Sequence, residues 1–192
     1  ILNPHGDCPM STLSVDTIQG KTTAGTVAMP EGTVIQVKQT TDDTDFSMQG
    51  TSFTDFISVS ITPKFNTSKI LVRCVIHGAS SFRYSGGRLF RIVGGSETAI
   101  GQGVTGLGSN RNGMFFSIPS NHDNSYWNYV MHNMSGEFLD SPATTSAITY
   151  KIKVANTYES THYVYLNRLQ VNNDAVWAHR NMSTITVFEI AQ

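Results

Sequence analysis

Alternation of apolar and polar side chains over short stretches constrains the fold of this 192-residue chain more than any other feature. From Phe53 to Thr62, three aliphatic residues alternate with serine and threonine. From Ser146 to Val154, isoleucine, tyrosine and valine alternate with threonine and lysine. Because successive side chains of an extended strand point to opposite faces, this period of two predicts strands with one buried face.

The remaining strand-like segments are also rich in β-branched and aromatic residues, which favour pleated, half-buried positions. The run from Lys69 to His77 is predicted to be buried on both faces. Nine or ten strands with turn signals between them, no amphipathic helix and no internal repeat predict an all-β sandwich, with a jelly roll as its topology. The other predicted strands are Thr33–Thr40, Arg88–Val93, Met114–Ile118, Tyr126–Met134, Tyr163–Val171 and Ser183–Ile190.

Residues 1–30 show no sustained period and are too poor in hydrophobic residues for a core of their own. We therefore expect an extended N-terminal arm at 1–30 and a head domain at 31–192. Since the chain starts at Ile1 and not at Met, we expect a processed protein or a piece of a longer one. Sister chains, three around a threefold axis, are expected to bury the arm's apolar side chains. These are Leu13, Val15, Ile18, Val27 and Met29.

Polarity in this chain comes from hydroxyl and amide groups and not from charge. Only 14% of residues are charged and the net charge is −1, whereas serine and threonine number 42 and asparagine 13. Binding of nucleic acid requires clustered lysine and arginine, so the composition predicts no nucleic-acid partner. No apolar run reaches the roughly 20 residues of a membrane-spanning helix, which predicts no membrane insertion.

No catalytic or metal-binding pattern stands out, so the sequence predicts a non-enzymatic protein without metal or cofactor. Histidines lack the HxH or HExxH spacing, no serine lies in a GxSxG motif, and the acidic residues are dispersed. Gly101 to Gly106 spells GxGxxG, but the glycine-rich segment after it cannot form the helix that dinucleotide binding needs. Cys74 lies in an apolar strand and is predicted to be buried. Whether it pairs with Cys8 stays open.

Two aromatic segments are candidates for binding a receptor or glycan. The first comprises Tyr126, Trp127 and Tyr129, with His122 just before it; the second is Phe82 and Tyr84 in a turn. An aromatic ring beside asparagine and histidine can hold a sugar ring by stacking. The alternative is that these aromatic residues belong to the core or to a subunit interface.

A series of segments resembles the C-terminal domains of tailed-phage fibre proteins, notably those of marine and cyanobacterial phages. The similarity runs from about residue 14 to 192 and is weakest between 80 and 135. The segments that carry it are Asp16–Pro30, Gly32–Val37, Ile61–Pro63, Ser68–Val72, Phe138–Tyr150 and Ser183–Ile190. None of them is catalytic.

This resemblance implies a virion structural protein in an extracellular particle, namely a homotrimeric appendage with a β-sandwich head. Its partners would be other virion proteins of the capsid or tail, together with a host surface glycan or protein. The position on tail fibre, head fibre or capsid stays open. Two alternatives also remain: a trimeric ligand of the tumour-necrosis-factor or C1q type, and a fibre-borne polysaccharide depolymerase.

Overall fold

The computed structural model describes residues 29–103, 111–120 and 128–192. These residues form eleven strands and no α-helix, which confirms the all-β prediction. The strands are β1 (Val34–Asp42), β2 (Phe46–Gln49), β3 (Thr54–Ile61), β4 (Lys69–Ser80), β5 (Ser85–Val93), β6 (Ser96–Ile100), β7 (Phe116–Ile118), β8 (His132–Asp140), β9 (Ile148–Asn156), β10 (Tyr163–Leu166) and β11 (Ser183–Ile190).

Two antiparallel sheets make up the sandwich. Sheet I has β4 at its centre, with β11 and then β1 on one side and β8 on the other. The last residues of β4, past the stretch that pairs with β11, pair with β10, and β10 pairs in turn with β2. Sheet II has the order β3-β9-β5-β6, and β7 also pairs with β5. Four strands of each sheet, in the orders β1-β11-β4-β8 and β3-β9-β5-β6, have the arrangement of a jelly roll.

The core lies between the sheets and follows the predicted alternation. Ile57, Val59 and Ile61 of β3 are buried, and the serines between them face outward or lie at the edge. The four predicted apolar positions of β9 are fully buried, whereas its two lysines are partly exposed. The period of two therefore assigned the inner face of both strands correctly.

Burial of β4 differs from the prediction that both its faces are covered. Ile70, Val72, Cys74 and Ile76 are fully buried, but Arg73 is exposed and Leu71 is half-buried. The outer face of β4 belongs to the outer face of sheet I, and none of the described strands packs over the part around Arg73. Cys74 is confirmed as a buried residue with a free thiol, and Cys8 lies outside the described residues.

Two strand predictions were wrong in extent. The strand predicted at Tyr126–Met134 is found at His132–Asp140, where its backbone pairs with Ile70–Gly78 of β4. The strand predicted to run to Val171 ends at Leu166, because Asn167 adopts a left-handed backbone with φ of 59°. The amide of Asn167 donates to the backbone oxygens of Asp42 and Thr44, which holds the chain in this turn. β2 and β6 were not predicted.

Candidate functional site

A row of apolar side chains crosses the outer face of sheet I. Val37 of β1 pairs with Phe188 of β11, Phe188 with Leu71 of β4, and Leu71 with Leu139 of β8. Directly paired residues share one face of a sheet, so the four side chains form a continuous line, here called the apolar row. Val37 is 49% exposed and Leu139 is 46% exposed, whereas the two central members are half-buried.

Two charged side chains lie on the same face, two residues along each strand from the apolar row. Arg73 of β4 pairs with Glu137 of β8, and both are exposed. Among the residues that the structure describes, neither side chain has an ion-pair partner. The face thus combines a line of exposed and half-buried apolar side chains with one cation and one anion, a combination that suits contact with another protein surface.

Aromatic side chains gather at the end of the sandwich where β4 turns into β5 and β9 leads into β10. The rings of Phe82 and Tyr84 are 6.3 Å apart between centroids. The ring of Phe82 stacks on His162 at 4.0 Å with an interplanar angle of 11°, and Tyr84 lies 5.1 Å from Tyr158. His162 is held in turn by Glu159, with 2.8 Å between Nε2 and Oε2.

The backbone of Tyr84 is strained and fixed by hydrogen bonds. Its φ of 70° is in the left-handed region, which costs a bulky residue about 1–3 kcal/mol. The carbonyl oxygen of Tyr84 accepts one hydrogen bond from the backbone N–H of Thr157 at 2.8 Å and another from its hydroxyl at 2.7 Å. Strain that neighbouring groups maintain in this way is a feature of functional sites.

The structure brings together only part of the predicted receptor-binding set. Phe82 and Tyr84 lie in one cluster, as their proximity in sequence suggested. Tyr129 is elsewhere and contacts Trp177 edge-to-face, with centroids 4.9 Å apart. His122, Tyr126 and Trp127 lie outside the described residues. Of the arm residues, Leu13, Val15, Ile18 and Val27 also lie outside them, and Met29 is 45% exposed beside Phe65 and Ala191.

Sequence reasoning missed Tyr158 and His162, which join the aromatic cluster from the loop between β9 and β10. The signal was weak, because a single tyrosine and a single histidine in a polar loop do not form a pattern. Their position depends on Asn156, whose side-chain oxygen accepts hydrogen bonds from the backbone N–H groups of Tyr158 and Glu159 at 3.1 Å each. This asparagine folds the loop back toward Tyr84.

The described parts of the chain can be compared with the geometry of metal sites and of membrane-spanning helices. Across those residues, no group of three or more histidine, cysteine or acidic side chains is arranged to hold a metal ion. Within the same ranges, no helix has the length and apolar character to cross a bilayer. Burial raises the pKa of the Cys74 thiol to about 12, which keeps it protonated and unreactive.

Neither a protein-family model nor a curated protein matches the sequence. Solved structures that match include several of infectious bursal disease virus. The VP2 subviral particle is 12% identical, covers 82% of this chain and 38% of its own, and has a TM-score of 0.37. The Gx strain structure is 12% identical with coverages of 82% and 37% and a TM-score of 0.39. The Gt strain structure is 11% identical with coverages of 96% and 42% and a TM-score of 0.38.

The chain thus spans well under half the length of each of these capsid structures. With identities of 11–12% and TM-scores of 0.37–0.39, the similarity carries no conclusion about function.

Proposed function

We propose that this chain is a non-enzymatic structural protein of a virion and that it assembles as a homotrimer through the outer face of sheet I. The observation that carries the assembly is the apolar row of Val37, Phe188, Leu71 and Leu139, which crosses four strands with its two end members exposed. Fully burying one aliphatic side chain contributes about 1.5–3 kcal/mol, so a partner covering this row gains substantial free energy.

The unpaired charges support self-association in particular. Around a threefold axis each copy can turn this same face toward the axis, so Arg73 of one copy can approach Glu137 of the next while the three apolar rows pack together along the axis. The predicted arm, 1–30, would pack along neighbouring copies. The virion location is supported by the resemblance of the arm and closing strand to tailed-phage fibre domains; the jelly roll by itself fits the tumour-necrosis-factor or C1q type equally well.

Light scattering coupled to size-exclusion chromatography tests the assembly. We expect the wild-type chain to have three times the 21.0 kDa of one copy. The double variant Val37→Lys/Leu139→Lys should be monomeric, because two ammonium groups would have to be buried in each interface. Val176→Lys is the matched control, since this valine is 99% exposed and lies outside the row. A monomeric wild type, or a double variant that stays trimeric, contradicts the proposed interface.

The location is tested separately, by mass spectrometry of density-gradient-purified virus particles from the source culture. Peptides of the head, such as those from β4 and β9, should be found with the capsid and tail proteins in a fixed ratio. Recovery of these peptides only from the soluble fraction, after the particles have been removed, would contradict a virion component.

A further inference from the structure

A cleft opens beside the strained turn at Tyr84, between the start of β5, the strand β7 and the loop after β9. Its volume is about 410 Å³. Tyr84 and Tyr158 form one wall, and these two residues are 56% and 67% exposed. Asn112 and Ser117 lie among the residues on the remaining sides. None of these residues belongs to the interface proposed above.

The aromatic wall is fixed before any ligand arrives. Thr157 holds the carbonyl of Tyr84 with two hydrogen bonds, and the side chain of Asn156 donates to the backbone oxygen of Arg83 at 3.3 Å. The same asparagine accepts from the backbone N–H of Tyr158. Both tyrosines thus have backbones that the surrounding structure determines, which reduces the entropy lost on binding.

The thioether of Met114 also lines the cleft, because Gly86 has no side chain. A Cβ at Gly86 would lie 3.0 Å from the Met114 sulfur, so any larger residue would displace it. Ser117 lies between the buried residues Phe116 and Ile118 of β7, so its hydroxyl faces away from the core. The cleft is therefore on the sheet II side of the sandwich, opposite the apolar row.

Hydrogen-bonding groups in the cleft are neutral and available. Arg88 donates to the side-chain oxygen of Asn112 at 3.3 Å, which leaves the amide nitrogen as a donor for a ligand. In the described part of the chain, that nitrogen and the hydroxyls of Ser117, Tyr84 and Tyr158 have no hydrogen-bond partner. None of the described residues that line the cleft is charged.

We propose that this cleft binds an uncharged hexopyranose unit of a glycan. The C–H face of a pyranose ring is apolar and stacks on phenol rings, while its hydroxyls can exchange hydrogen bonds with an amide and with side-chain hydroxyls. A sialylated or sulfated unit would bring a negative charge, but the described lining residues are uncharged and the nearby Arg88 already donates to Gly113 and Asn112. Glycan binding here is independent of the proposed trimer, so either can fail without the other.

A glycan array carrying neutral, sialylated and sulfated glycans, probed with the labelled full chain, identifies the class. We expect binding to at least one neutral hexose-containing glycan and weaker binding to acidic counterparts. Saturation-transfer NMR with the methyl glycosides of glucose, galactose and mannose should then show transfer to the ring C–H protons. Absence of binding to every neutral glycan, or preference for acidic ones, overturns the proposal.

Variants locate the site. Tyr158→Ala and Tyr84→Ala should each weaken the array signal about tenfold, the effect expected from loss of one stacking contact. Tyr163→Ala is the matched control, because Tyr163 is 40% exposed but does not line the cleft. Ser117→Trp fills the cleft from an exposed position without removing a contact, and it should abolish binding while the circular dichroism spectrum stays unchanged. Undiminished binding by Ser117→Trp overturns the assignment.

Discussion

Arg91 of β5 and Asp140 of β8 form an ion pair that joins the two sheets of the sandwich. The Nη1 atom of Arg91 lies 2.8 Å from Oδ1 and 3.0 Å from Oδ2 of the carboxylate. The hydroxyl of Tyr150 donates to Oδ2 at 2.8 Å, and burial together with this hydrogen bond raises the pKa of that tyrosine. The side chain of Asp140 is only 7% exposed, so these two partners take the place of water around its carboxylate.

Removing Arg91 should destabilise the head strongly. Arg91→Met leaves a buried carboxylate without its cation, and we expect the free energy of unfolding to fall by about 3 kcal/mol in urea denaturation. Arg91→Met/Asp140→Leu is the control, because replacing both charges by apolar groups removes the penalty and should recover most of the loss. A double variant no more stable than the single one would show that the ion pair is not the cause.

Replacing Glu189 of β11 should also destabilise the head. This fully buried carboxylate accepts hydrogen bonds from Ser68 Oγ and Lys64 N at 2.7 Å each and from Gln36 Nε2 at 2.6 Å. In Glu189→Gln one side-chain oxygen becomes an NH₂ group that faces donors, so we expect a loss of about 2 kcal/mol.

The loop before β4 should show this loss first, as faster hydrogen exchange at the backbone N–H of Lys64. Glu31→Gln serves as the control, because this exposed glutamate lies outside the proposed interface and has no such partners, so its replacement should change stability by less than about 0.5 kcal/mol. If both variants lose the same stability, the hydrogen bonds to Glu189 do not hold the loop.

Acid should remove one contribution to the free energy of unfolding, which comes from the ion pairs of Asp55 on the outer face of sheet II. Partial burial opposes ionisation of Asp55, but hydrogen bonds and charge from Lys151 and Lys153 outweigh it and lower its pKa below 3.8. A carboxylate with a depressed pKa stabilises the fold above its unfolded pKa, and this contribution is lost as the pH falls through the folded pKa.

Asp55→Asn should therefore cost about 0.5 kcal/mol near neutral pH, the range of an exposed ion pair. Below the folded pKa, wild type and variant should unfold at the same urea concentration. A difference that persists unchanged in acid would mean that packing, and not charge, explains the effect.

Deletion of the predicted arm should separate folding from assembly. A chain lacking residues 1–30 retains the pairing of Gly32 and Thr33 with Ala191, so we expect a cooperative thermal unfolding transition close to that of the full chain. Its trimer should dissociate at a higher protein concentration, as measured by light scattering. An unfolded, aggregating product would place the domain boundary elsewhere.

The Cys74 thiol should resist modification in the native protein. With a pKa of about 12 and no exposure, it is neither ionised nor accessible near neutral pH. In a Cys8→Ser variant, Ellman's reagent should therefore titrate no thiol until urea is added, and one thiol afterwards. Rapid reaction in the absence of urea would show that β4 opens locally.

Alternation along single strands was enough to predict the sandwich and the inward faces of β3 and β9, because the period of two is a local property of the chain. The strands β2 and β6 were not predicted, because Phe46–Gln49 and Ser96–Ile100 are too short and polar to show an alternating pattern. They are strands because their backbones pair with β10 and β5, respectively. The exposure of the outer face of β4 was also not predicted, because apolar residues on both faces of this strand indicated that both faces would be buried.

The sequence by itself thus determined that the chain forms two layers of strands, which side chains of β3 and β9 face the core, and that polarity comes mainly from hydroxyl and amide groups. Only the tertiary structure decided that Val37, Phe188, Leu71 and Leu139 form one line and that Tyr158 joins Tyr84. The reason is physical: side-chain alternation depends on neighbours along the chain, whereas the meeting of distant strands and loops depends on long-range backbone pairing, which no local pattern encodes.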